Sequence, residues 1–237
     1  MNAISMRKIN ALVGKQLKTV TSNPFVIMPI FLVPFMAFLF SQAMEPEYAQ
    51  QMLTFMVGMN LILGAPTIIS CLIAEEKEKN TLAVLITSTV SVLDFLISKV
   101  LFTAVCSIAM NAAVYFLMNG QELIGFDVFM LLSGLGSVTA TLLGAAIGIT
   151  SKNQATASTM VSPLMLLLII PVFFPDNFFV DNILYYFFTE QVLLAIHRIA
   201  FDGSSLTLLP LGIIAVNIIV LGVVFGMFYK KNGLGLE

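Results

Sequence analysis

Six long apolar runs constrain this chain more than any other feature of its sequence. The hydrocarbon core of a bilayer is about 30 Å thick, and an α-helix needs about 20 apolar residues to cross it. Six segments meet this requirement, so we expect each of them to be a transmembrane helix. They are approximately residues 25–44, 52–74, 93–118, 128–150, 157–174 and 208–229.

The composition also indicates that the folded chain is surrounded mainly by lipid. Hydrophobic residues make up 59% of the sequence and charged residues only 10%, whereas a soluble domain has about 25% charged residues. Because the apolar runs are continuous rather than alternating, we expect an all-α membrane protein with one transmembrane domain over residues 1–237. Cys71 and Cys106 lie inside apolar runs, which predicts buried thiols rather than a disulfide or a metal site.

Basic residues are distributed unevenly between the two ends of the expected helices. Ten of them fall on one side of the membrane, and only Arg198 falls on the other. Cytoplasmic loops are enriched in Lys and Arg, so we expect both termini to be cytoplasmic. Residues 1–23 combine basic residues with spaced apolar ones, which predicts an amphipathic helix lying in the cytoplasmic interface. The ten basic residues are Arg7, Lys8, Lys15, Lys18, Lys77, Lys79, Lys99, Lys152, Lys230 and Lys231.

A cluster of five consecutive charged residues, 75–79, separates the second apolar run from the third. The segment that follows, residues 81–93, is too short to span a membrane, and its apolar residues recur near helical spacing. We therefore expect residues 75–92 to form a cytoplasmic loop that contains a short amphipathic helix. Glu75, Glu76 and Glu78 would lie at the N-terminal end of this helix, where the macrodipole is positive.

Residues 175–207, between the fifth and sixth runs, are apolar but interrupted by charged residues. This pattern predicts two short amphipathic helices that dip back into the outer leaflet, where backbone must stay helical or pack on protein. Two roles remain open for His197 and Arg198, the adjacent basic pair of this segment. They are either an interfacial anchor, which we prefer, or a gate that lines the outer exit.

The sequence lacks the motifs of nucleotide and metal chemistry. A phosphate-binding loop needs G-x-x-x-x-G-K-[ST], but the pair Gly14-Lys15 is followed by Gln16 and lacks the upstream glycine. A membrane zinc protease would need at least two metal-binding histidines, and His197 is the only histidine. We therefore expect no catalytic, cofactor-binding or metal-binding residues in this chain. The expected spans also carry few charges, which argues against a proton-driven antiporter.

The segment EEKEKNTLAVLITSTVSVLDFLISKVL, which begins at Glu75, resembles the signature of ABC-2 type permeases. In that family the second and third spans are joined by E-x-x-x-G/N-T-L-x-x-L-x-x-[ST]-P-[VL], and the next span begins near K-x-L. Thr89 stands where the family has proline, so the end of the short helix would be less sharply bent. The matching positions are Glu76, Asn80, Thr81, Leu82, Leu85, Ser88, Val90 and Lys99.

The resemblance implies a transporter made of several subunits. A permease of this family pairs with a separate ABC ATPase, which would bind ATP and Mg²⁺, and two of each subunit form the transporter. We therefore expect a homodimer or a pair with a closely related second permease, and no nucleic-acid partner. The segment between spans two and three would dock into the ATPase; the alternative is that its charges only solvate a loop. The residues implied in ATPase coupling are Glu75, Glu76, Glu78, Asn80, Thr81, Leu82, Leu85 and Ser88.

The remaining features concern packing and substrate. Gly136, Ala140, Gly144 and Gly148 lie four residues apart, which predicts close helix packing within the chain rather than between subunits. The compact outer loops resemble those of small bacterial exporters of amphipathic peptides. We therefore expect an exporter of amphipathic peptides, toxins or drugs in a bacterial cytoplasmic membrane. The alternative is a membrane factor without transport activity, such as an immunity or assembly protein.

Overall fold

The computed structural model describes residues 6–79, 92–119, 122–173 and 177–232. These residues are almost entirely helical, and no β-strand occurs among them. The predicted all-α class is therefore confirmed. The helices are α1 (Met6–Ser22), α2 (Pro24–Ala43), α3 (Pro46–Met59), α4 (Ala65–Glu78), α5 (Val92–Leu117), α6 (Phe126–Thr150), α7 (Gln154–Val161), α8 (Met165–Phe173), α9 (Phe178–Asn182), α10 (Phe188–Asp202) and α11 (Leu208–Asn232).

Five helical segments in the described part of the chain are long and apolar enough to cross a membrane. A sixth is possible if the helical pieces Phe178–Tyr186 and Phe188–Phe201, which meet at 97°, count as one span. The chain is therefore a multi-pass membrane protein with five or six candidate spans. The five segments are Pro24–Ala43, Gln51–Glu78, Ile97–Leu117, Phe126–Thr150 and Leu208–Tyr229.

The predicted fifth span, residues 157–174, does not form one helix. The structure divides it into α7, a 3₁₀ turn at Ser162–Leu164 and α8, and residue 174 lies outside the described residues. Pro163 lies in the 3₁₀ turn. Because proline has no N–H to donate and crowds the preceding turn, it interrupts the α-helical hydrogen bonding at this point.

Helices α1 and α2 are separated by Asn23, whose backbone is extended rather than helical. The Asn23 side chain accepts a hydrogen bond from the N–H of Phe25 at 3.0 Å and so caps the N-terminus of α2. Pro24 occupies the first turn of α2, where a missing N–H costs no helical hydrogen bond. The predicted N-terminal helix is present as α1, and α2 begins directly after it.

The centre of the fold is the contact between α4 and α6. A Cβ atom added at Gly144 would lie 2.4 Å from Cα of Pro66, and one added at Gly148 would lie 2.8 Å from Cα of Ser70. These distances show that the two backbones touch, which confirms the predicted packing within the chain. In contrast, an added Cβ at Gly222 would have no described atom within 4 Å.

The helices at the edge of the fold expose large apolar faces. The most apolar stretches of α2 and α11 are only 17% buried, whereas that of residues 51–78 is 83% buried. Phe31 on α2 and Ile219 on α11 are both about two-thirds exposed, at 66% and 65%. The α3–α4 segment is therefore the core of the subunit, and α2 and α11 are its outer surfaces.

Candidate functional site

The charged cluster after the second apolar run is helical. Helix α4 continues through Glu78, so Glu75, Glu76 and Glu78 form its last turn. The expectation that these glutamates lie in a loop and begin the next helix is therefore wrong. Acidic residues are unfavourable near a helix C-terminus, where the macrodipole is negative. The structure offsets this unfavourable placement with lysines from other parts of the chain.

Glu76 binds two lysines from two different helices. Its Oε1 and Oε2 atoms accept hydrogen bonds from Lys15 Nζ on α1, at 2.9 and 3.1 Å. Lys99 Nζ on α5 lies 3.5 Å from Glu76 Oε1 and donates to the carbonyl of Leu72 at 2.8 Å. Glu76 is 8% exposed and Lys99 only 2% exposed, so this ion pair is shielded from solvent.

Glu75 connects α4 to the turn between α1 and α2. Its Oε2 atom accepts a hydrogen bond from Asn23 Nδ2 at 2.7 Å, and the same nitrogen donates to Gln154 Oε1 on α7 at 2.6 Å. Glu75 also pairs with Lys79, one turn further along the chain. The carboxylate of Glu75 raises the pKa of the Lys79 ammonium, mainly through this hydrogen bond.

Lys77 and Glu78 contact the two helices on the remaining sides of α4. Lys77 Nζ donates to the carbonyls of Ile149 and Ser151, at 2.6 and 2.8 Å. These carbonyls lie at the end of α6, where a cation satisfies acceptors that the helix leaves free. Glu78 Oε2 accepts a hydrogen bond from the backbone N–H of Gln154 at 3.3 Å, at the start of α7.

The last turn of α4 therefore forms a junction with α1, Asn23, α5, the end of α6 and the start of α7. We call residues 75–78, with their side-chain partners Lys15, Asn23, Lys99 and Gln154, the α4 junction. Consecutive residues of an α-helix point about 100° apart, so four of them cover the whole circumference. Among the described residues, no group of His, Cys, Asp and Glu could hold a metal ion. The contacts of the junction are ion pairs and hydrogen bonds that join separate helices.

The other residues implied in ATPase coupling could not be placed. Asn80, Thr81, Leu82, Leu85 and Ser88 lie outside the described residues. Their role at a partner surface stays a prediction. Among the glutamates, Glu78 is exposed, whereas Glu75 and Glu76 are covered by the chain itself.

Sequence reasoning did not identify Lys15, Asn23 or Gln154 as members of a site. Lys15 stands 61 positions from its partner Glu76, and Asn23 stands 131 positions from Gln154. Asn23 precedes Pro24 in the sequence, which indicates a turn but not a site. Lys99 can be recognised in the sequence as a candidate, because it is a lysine inside an apolar run. The structure shows that it is buried rather than reaching solvent.

The candidate outer gate lies on a different element from the α4 junction. His197 and Arg198 are both exposed on α10, which packs against α3, α6 and α11. The His197 ring stacks on the ring of Phe201, with centroids 4.1 Å apart. The sequence predicts two short helical pieces before the last span, and α9 and α10 lie there. The role of His197 and Arg198 stays a prediction.

A comparison with protein families finds a match that covers most of the chain. The family model described as "ABC-2 family transporter protein" matches residues 42–228, more than three quarters of the sequence. No curated protein matches the chain significantly. The matched region begins near the end of α2 and includes residues 75–78 and the segment that follows them. The chain is a multi-pass membrane protein of the ABC-2 transporter family.

Proposed function

We propose that this chain is the permease subunit of an ATP-driven exporter and that the α4 junction transmits movement from its ATPase. Membership of the ABC-2 family implies pairing with an ABC ATPase subunit. The observation that carries the proposal is the arrangement of residues 75–78, whose four side chains contact α1, the Asn23 turn, α5, the end of α6 and the start of α7. A displacement of this turn reaches all of these elements together.

Buried ion pairs give such a link its stiffness. Losing one partner of a buried pair costs about 3–5 kcal/mol, whereas exposed pairs contribute only about 0–1 kcal/mol. Glu76 and Lys99 form a pair of the first kind, since both are almost fully buried. Force applied to residues 80–91 would therefore move α4 and its neighbours as one body. In this scheme residues 80–91, together with the exposed Glu78, meet the ATPase, and Glu75 and Glu76 hold the permease together behind them.

The assembled transporter would contain two permeases and the ATP sites of its partner. We propose a homodimer, or a pair with a related permease, with ATP and Mg²⁺ bound by the ATPase and both termini in the cytoplasm.

The exposed surface of residues 154–166 is a candidate for contact with a second subunit or for the lining of an aqueous pathway. Thr159, Ser162 and Pro163 are exposed on this broken segment of an apolar run, and irregular backbone at membrane depth must be covered by protein or line water.

The side chains exposed on residues 154–166 also favour amphipathic molecules as the substrates. This segment exposes the polar Thr159 and Ser162 beside the apolar Met160 and Leu166, which are 45% and 57% exposed. A surface of this mixed kind fits a substrate with one polar and one apolar side. We therefore propose export of amphipathic peptides, toxins or drugs from a bacterial cytoplasmic membrane.

The test is to purify the tagged chain from the membranes of its own cells and identify what accompanies it. We expect an ABC ATPase to co-purify and to drive ATP-dependent transport of a fluorescent amphipathic helical peptide into inverted vesicles. Absence of any ABC ATPase, or transport that ignores ATP, would favour a membrane factor without transport activity.

A variant pair tests the junction within this scheme. Lys15→Gln removes a bond to Glu76, whereas Lys18→Gln alters an exposed lysine on the same helix. We expect Lys15→Gln to keep the ATPase bound while transport per ATP falls severalfold, and Lys18→Gln to match the unmodified chain. Equal transport per ATP in both variants would refute transmission through the junction, even if the chain proves to be a permease.

A further inference from the structure

A second polar cluster lies inside the bundle, separate from the α4 junction. Asn60, Ser107, Asn111 and Ser137 are all fully buried. Asn60 Nδ2 lies 2.9 Å from the carbonyl and 3.0 Å from the hydroxyl of Ser107, and 2.7 Å from Asn111 Oδ1. The Ser107 hydroxyl and the Asn111 amide both donate to Ser137 Oγ, at 2.8 and 3.2 Å. We call these four residues the Asn60 cluster; it ties α5 and α6 to the segment between α3 and α4.

The hydrogen bonding of Asn60 is incomplete. Its amide nitrogen has two hydrogens but three acceptors within reach, and its Oδ1 atom has no donor among the described residues. A buried polar group that is only partly satisfied is held less firmly than a fully bonded one. The hydrogen bonds from Asn60 to Ser107 and Asn111 therefore fix the position of Asn60, but they can be broken at a moderate cost in free energy.

The backbone at Asn60 also departs from regular α-helical hydrogen bonding. Residues Asn60–Gly64 form a π-helical turn in which the N–H of Ala65 donates to the carbonyl of Asn60. Pro66 has no N–H, so the carbonyl of Ile62 lacks its usual helical donor. A Cβ atom at Gly64 would lie 2.5 Å from Asn60 Oδ1, so glycine leaves room for the asparagine side chain. Single π-helical turns of this kind are frequent at functional sites and at kinks.

The two helices on either side of this turn are held in different ways. Helix α4 touches the backbone of α6 at Gly144 and Gly148 and ends in the α4 junction. Helix α3 packs against α2, α5 and α10, and its side chains Leu53 and Val57 are buried in the apolar core. Apolar packing is non-directional and permits sliding, whereas backbone contact and ion pairs do not.

We propose that Asn60–Gly64 is a hinge at which α3 moves relative to α4, and that the bonds of Asn60 to Ser107 and Asn111 hold the hinge in the state seen here. Helix α4 then stays with α6, while α3 changes its angle to α4 at this turn.

Amide hydrogen exchange of the full chain in nanodiscs tests the hinge. Asn60→Ala removes the side chain that holds it, so we expect the amides of residues 52–64 to exchange about three- to tenfold faster, the range that an interhelical hydrogen bond in a membrane protein supports. Residues 68–78 should keep their exchange rates. Thr139→Ala is the matched control, because Thr139 is fully buried and its hydroxyl donates to the carbonyl of Leu135 in its own helix.

A second pair of variants keeps the test decisive. Pro66→Ala restores a helical donor, so we expect slower exchange at the π-helical turn. If Asn60→Ala does not reach the membrane, Asn111→Ala removes the same bond from α5. Unchanged exchange in 52–64, equal acceleration of both halves, or the same effect from Thr139→Ala would each overturn the hinge.

Discussion

Lys99 Nζ on α5 lies 3.5 Å from Glu76 Oε1 on α4, and both side chains are buried. A lysine at this depth in an apolar bundle needs a partner, because desolvation of an isolated charge costs several kcal/mol. Glu76 and the Leu72 carbonyl supply that partner. The pair therefore fixes the register of α5 against α4, and this relationship leads to the first prediction.

Glu76→Gln should lower the free energy of unfolding by about 3–5 kcal/mol, since it removes the carboxylate that pairs with the buried ammonium group of Lys99. Glu78→Gln is the control, because Glu78 is exposed and its loss should cost at most about 1 kcal/mol. Unfolding of the purified chain in detergent, followed by circular dichroism, measures both. The double variant Glu76→Leu with Lys99→Leu should lose less stability than the sum of the losses in the single variants Glu76→Leu and Lys99→Leu. Additive losses would show that the residues do not interact.

Lys15→Gln should loosen α1, because the bond to Glu76 is the ion pair that joins this helix to α4 in the described residues. Lys15 is half exposed, so we expect a small effect on global stability, about 0–1 kcal/mol. Exchange of the α1 amides should nevertheless accelerate, and Lys18→Gln should leave it unchanged. Fast exchange of α1 in the unmodified chain would mean that the ion pair does not hold the helix.

Gly144→Ala should destabilise the fold by about 1–3 kcal/mol, because the new methyl group would meet the backbone of Pro66 at 2.4 Å. Gly222→Ala is a matched control with open space around the new atom. Alanine favours a helix by about 1 kcal/mol over glycine, so Gly222→Ala should be neutral or stabilising. Thermal unfolding of the two variants compares them directly. A stable Gly144→Ala protein would contradict the close approach of α4 and α6.

Replacing Leu82 and Leu85 by Asp should abolish capture of the ATPase while leaving insertion intact. The prediction rests on their apolar spacing in the segment after residue 79. Thr87→Asp with Ser91→Asp adds the same charges to the same segment at polar positions and should retain binding. Co-purification of the ATPase with each variant measures the effect. Equal capture by both double variants would leave residues 80–91 without a docking role.

Hydropathy predicted the helical class, because the length of an apolar run reports directly on the thickness of the bilayer. It failed where local chemistry competed with length. Pro163 was visible in the sequence, and its missing N–H is enough to explain why the fifth run forms two helices and a 3₁₀ turn. Asn60 and Asn111 were visible in the same way, as amides inside apolar runs, but their contact could not be predicted from spacing.

The sequence directs attention to residues 75–79 because charges are rare in this chain. A rule for isolated helices places Glu75, Glu76 and Glu78 at the start of a helix, whereas they form the end of α4. That rule fails when lysines distant in the sequence neutralise a helix C-terminus. Lys15 and Lys99 act in this way, and only the folded chain brings them to Glu76.

The α4 junction has a consequence for exchanging parts between relatives. The family match begins at residue 42, yet Lys15 and Asn23, which bind Glu76 and Glu75, precede it. A hybrid permease built by swapping only the matched region would inherit the glutamates from one parent and their partners from the other. The smallest piece that can be transplanted with its charges balanced therefore starts at α1.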